Sequence, residues 1–83
     1  MEKSIITEME IIEKELRMDT LSYKQGKYNK LFLLRYKQGK WVALWNLLNA
    51  INKPKSLELM EKYIPLRNKI DKLISEELKE YAQ

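Results

Sequence analysis

Near the start of the chain, Ile5, Met9, Ile12 and Leu16 recur at three- and four-residue steps. That spacing lines one face of a helix with 3.6 residues per turn, so it predicts an amphipathic first helix. Glu10–Lys14 and Glu13–Arg17 add favourable pairs one turn apart. Thr7-Glu8-Met9-Glu10 has the form of a capping box, with Ile6 and Ile11 at the staple positions around it, which predicts a helix start near Thr7. The pattern allows this helix to stop at Asp19-Thr20 or to run on to Gln25.

In the middle of the chain, Tyr28, Leu31, Phe32 and Tyr36 form one apolar face, with Lys27, Lys30 and Lys37 roughly opposite. Trp41, Leu44, Trp45, Leu48 and Ile51 then give an unbroken i, i+3, i+4, i+7 stripe. The first face places Phe32 in the core. The second makes Trp41–Ile51 a central helix, apolar nearly all round, that other helices or a second copy of the chain must cover. Asn46 and Asn49 are its polar strip.

The same phrase flanks these faces twice: Tyr23-Lys24-Gln25-Gly26-Lys27-Tyr28 and, thirteen residues on, Tyr36-Lys37-Gln38-Gly39-Lys40-Trp41. Each Gln-Gly can be a hairpin turn or the left-handed stop of one helix before the next. The helical periods on both sides favour the second reading, with Gly26 and Gly39 just past helix ends. The phrase also resembles the turn between the two helices of a tetratricopeptide repeat. That likeness covers about six residues, departs from the family's period of 34, and implies only an antiparallel helix junction.

Asn52-Lys53-Pro54-Lys55-Ser56 closes that helix and opens the next, with Pro54 in a first turn and Ser56 as an available cap. Leu57 to Ile64 reads as a short helix. Pro65, which lacks a backbone N–H, should kink or restart it. Leu66, Ile70, Leu73, Ile74, Leu78 and Tyr81 mark a last amphipathic helix. The expected fold is all-α: a small antiparallel bundle of four to five helices, in a single domain spanning residues 1–83.

With neither Cys nor His in its 83 residues, the chain has no thiolate or imidazole for nucleophilic, general-base or zinc chemistry. The acids (Glu8, Glu10, Glu13 and Glu15, then Glu76, Glu77 and Glu80) fall on solvated helix faces or beside lysines, with no sign of a cleft that would split their pKa values. No enzyme activity and no cofactor or metal is expected. The N-terminus has no apolar leader, and the longest apolar stretch, Trp41 to Ile51, is half of a membrane span. A cytoplasmic protein with no membrane partner is the expectation.

Charge changes the picture more. The net +4 is segregated: residues 1–19 carry −3, residues 20–57 carry +8 with no acid at all, and residues 58–83 carry −1. The central stretch also holds six of the eight aromatic residues. Cations interleaved with flat rings can hold a phosphate backbone and stack on bases. The candidate nucleic-acid-binding residues are Lys24, Lys27, Lys30, Arg35, Lys37 and Lys40, with Tyr23, Tyr28 and Tyr36. The first functional expectation is a DNA- or RNA-binding module that contacts phosphates with little sequence discrimination. The alternative is a helical protein–protein module, such as a small dimeric adaptor or inhibitor, bound to a protein partner or to itself as a homodimer.

Overall fold

Three helices pack side by side: α1 (Glu2–Ser22), α2 (Tyr28–Ile51) and α3 (Lys53–Ala82). The structure, a computed structural model, describes the backbone of residues 1–23 and 28–82 and the side chains of residues 1–23 and 30–79. Among the described residues there is no strand. The all-helical expectation holds, but the bundle has three helices rather than four to five. The molecule is a rod of 45 × 17 × 16 Å.

Two expected breaks are absent. α2 runs straight through Gly39, and α3 runs straight through Pro65. A glycine inside a helix costs about 1 kcal/mol and an interior proline about 3, amounts that packing of the flanking turns can offset. Leu34, Trp41 and Leu48 stand seven residues apart on one buried face across Gly39. Tyr63, Leu66 and Ile70, at steps of three and four, line one buried face across Pro65. Gly39 is therefore no helix junction, and the tetratricopeptide-like reading fails at the second copy of the phrase. Gly26 lies outside the described residues.

The first helix begins a turn and a half before the expected capping box. Thr7 is inside α1, and its hydroxyl donates to the Lys3 carbonyl at 2.9 Å instead of capping Glu10. The helix stops at Ser22, with Tyr23 turning to extended backbone (φ −65°, ψ 130°).

Between α2 and α3 the only residue outside a helix is Asn52, which caps α3. Its Oδ1 accepts from the Lys55 amide at 3.2 Å, and its Nδ2 donates to Glu2 Oε1 on α1 at 2.6 Å. Ser56 is not the cap. It is fully buried, with its hydroxyl 2.8 Å from both Asn49 Oδ1 and the Lys53 carbonyl. Trp45 Nε1 donates to the Ser56 carbonyl at 2.7 Å, which fastens the other side of the same turn.

α2 packs against both α1 and α3, which touch one another less. The core follows one stripe of each helix: Ile5, Met9, Ile12 and Leu16; Leu34, Trp41 and Leu48; Leu59, Tyr63, Leu66, Ile70 and Ile74. With its inner face used on two neighbours, α2 has its outer face open to solvent.

Candidate interaction surface

The basic residues of the central stretch do not share one face. Lys37 points toward α1, where Nζ lies 2.6 Å from Asp19 Oδ2 and 3.6 Å from Glu15 Oε2. The hydrogen bond to Asp19 is the main reason its pKa is raised above 10.5, against a smaller opposing effect of burial. Arg35 points the other way. Its Nη1 donates to Gln38 Oε1 at 3.0 Å and to Asp71 Oδ1 on α3 at 3.2 Å. Both cations are thus engaged by acids of the flanking helices, on opposite sides of α2.

Lys30 and Lys40 are the exposed lysines of this helix, and neither has an ion pair among the described residues. Lys40 Nζ lies over the Tyr36 ring, 5.6 Å from its centroid, within cation–π range. Tyr36 is exposed. Tyr23 is half-buried against the core and shares a recess with Leu73, Glu76 and Glu77. Glu77 is buried, contrary to the solvated face expected for it. Lys24, Lys27 and the side chain of Tyr28 lie outside the described residues.

A second feature of the outer face was not anticipated. Phe32 is 78% exposed, Tyr36 64% and Leu47 56%, with Leu33, Val42 and Ile51 also open. Phe32 is therefore not a core residue; Leu34 fills that role. At 100° per residue, Phe32, Tyr36, Ala43, Leu47 and Ala50 fall on the side of α2 opposite Leu34, Trp41 and Leu48, with Leu33 and Ile51 at its edge. The sequence contained the signal, because a helix apolar on two opposite faces needs two sets of neighbours. α1 and α3 cover only one.

Beside this stripe, a shallow groove between α2 and α3 is lined by Arg35, Gln38, Gly39, Val42, Tyr63 and Arg67. Tyr63 is buried, and its hydroxyl faces Gln38 without a hydrogen bond of ordinary geometry. Burial pushes its pKa above 10.0, and Gln38 draws it part of the way back. Among the described residues no cluster of three or more acids could hold a metal ion, and no helix is long and apolar enough to cross a membrane.

The sequence matches no protein-family model, and neither a curated protein nor a solved structure matches it.

Proposed function

We propose that this chain is a non-enzymatic helical module that binds a protein partner through the outer face of α2. One observation carries the reading: Phe32, Tyr36 and Leu47 are large, apolar, exposed and aligned on one face, with the exposed Ile51 at its edge. Exposed apolar side chains scattered singly need no explanation, whereas a contiguous run with a charged rim is the usual mark of a protein contact. Photo-crosslinking from a benzoylphenylalanine at position 36 tests it, with position 75 on α3 as the control. The expected result is a polypeptide adduct from position 36 alone, lost when Phe32 and Leu47 are both changed to Ser. Equal adducts from both positions would refute the assignment.

Nucleic-acid binding is the second reading. It is supported by the free ammonium groups of Lys30 and Lys40 and by the open Tyr36 ring beneath Lys40. It is the weaker of the two because Arg35 and Lys37 already have acidic partners. On this reading, changing Lys30 and Lys40 to Gln flattens the log–log salt dependence of duplex binding by about 1.8, roughly 0.9 per phosphate contact. An unchanged slope removes those two lysines from any phosphate contact.

A further inference from the structure

We infer that the occupant of the α2 face is an amphipathic helix with an acidic flank, crossing α2 at Gly39 and Ala43. The inference rests on the protein-binding reading above and names the chemistry of the partner.

Shape is the first argument. Gly39 sits in the middle of a helix, has no left-handed backbone angle, and a Cβ built there would meet nothing within 4 Å. Neither the backbone nor the packing of this chain uses the missing side chain, although glycine weakens a helix. One turn on, Ala43 extends the low ground. The bulky residues stand on either side: Phe32 and Tyr36 toward the N-terminal end, Leu47 and Ile51 toward the C-terminal end. Tyr36 and Leu47 are eleven residues apart, roughly 16 Å at 1.5 Å per residue, and a helix with its side chains is about 10–12 Å across. The surface is therefore a saddle wide enough for one helix, with small residues at its floor that let two backbones approach closely. Lys40 would otherwise fill it, but its ammonium is drawn back over Tyr36. A strand is a poor occupant, because the backbone groups in the middle of a helix are already paired and cannot extend a sheet.

Charge is the second argument, and it decides between a foreign helix and a second copy. Residues 20–57 contain no acid, and the exposed Lys40, which has no ion pair among the described residues, borders the saddle. Lys30, by contrast, lies a heptad before Lys37 on the side of α2 turned toward α1. Two copies crossing face to face at Gly39 would bring one Lys40 close to the other, with no acid on either α2 to separate them. Like charges placed together across an interface disfavour that pairing. A partner helix carrying Glu or Asp beside its apolar stripe meets Lys40 with opposite charge.

The test uses the full chain and a displayed library of 18-residue helical peptides. All members share a Leu/Ile stripe, and the flanking positions are randomised among Glu, Lys and Ser. The expected result is enrichment of Glu-flanked peptides, with binding weakened about tenfold or more by Tyr36→Ser and by Leu47→Ser. Gly39→Leu should weaken binding to the same degree while leaving the fold intact, since a Cβ there meets nothing within 4 Å. Reversing the charge with Lys40→Glu should shift enrichment to Lys-flanked peptides. If binding depends on Tyr36 and Leu47 but shows no charge preference, or ignores Gly39→Leu, the helix-crossing inference is overturned and the protein-binding reading stands. If no peptide binds through Tyr36 and Leu47, both fall. Light scattering should report a monomer; a dimer dissolved by Leu47→Ser would replace the foreign helix with self-association. Duplex binding that requires Tyr36 would replace it with nucleic acid.

Discussion

Trp41 and Tyr63 stack ring on ring, with centroids 3.7 Å apart and planes inclined by 13°. Both are buried, and they join the middle of α2 to the middle of α3. Trp41→Ala should therefore cost roughly 3–5 kcal/mol, a large share of the stability of so small a domain. Trp45 is only partly buried and spends its indole N–H on the Ser56 carbonyl. Trp45→Ala should cost less than Trp41→Ala. Chemical denaturation of the two variants checks the order, and a larger loss at Trp45 would put the core in the wrong place.

Gly39→Ala should stabilise the free protein by about 0.5–1 kcal/mol, because alanine suits a helix interior and the new methyl meets nothing. A rise in Tm checks this. A fall would mean that α2 breaks at Gly39 after all.

The Lys37–Asp19 contact is partly shielded, with the two side chains 23% and 35% exposed. A double-mutant cycle with Lys37→Met and Asp19→Asn should give a coupling of about 0.5–1 kcal/mol, reduced by salt. Zero coupling at low salt would release Lys37 to bind something else.

Alkaline pH should destabilise the fold. Burial raises the Tyr63 pKa above 10.0, and chiefly the hydrogen bond to Asp19 raises that of Lys37 above 10.5. In each case the folded chain keeps a proton that the unfolded chain releases first. The stabilisation is fully present below the unfolded values and is lost as pH rises through the folded ones. Melting temperatures should be level up to about pH 9 and fall above about pH 10. Tyr63→Phe keeps the stacking ring and removes one titrating group, so its decline should be shallower. An identical decline would exclude Tyr63 as a source.

Helix as the only secondary structure among the described residues, the buried stripe of α1, Trp41 as a core residue and Pro54 in the first turn of α3 were all legible in the sequence. Each depends on contacts within a few residues, where 3.6-residue periodicity and local backbone chemistry decide the outcome. The number of helices was not legible, because the cost of Gly39 or Pro65 is a local quantity whereas the packing that offsets it comes from distant turns. That one difference moved the rest of α2. Taken as a break, Gly39 lets the segment before it be phased alone, and Phe32 reads as core. In the continuous helix the phase is set by Trp41 and Leu48, and stepping back seven residues from Trp41 gives Leu34. Phe32 and Tyr36 then face solvent. The same rotation sends Lys37 to Asp19 on α1 and Arg35 to Asp71 on α3, dividing a charge band that is continuous in sequence. Sequence fixes which residues can lie on one helix face. Which face turns inward depends on where the neighbouring helices pack, and only the tertiary structure settles that.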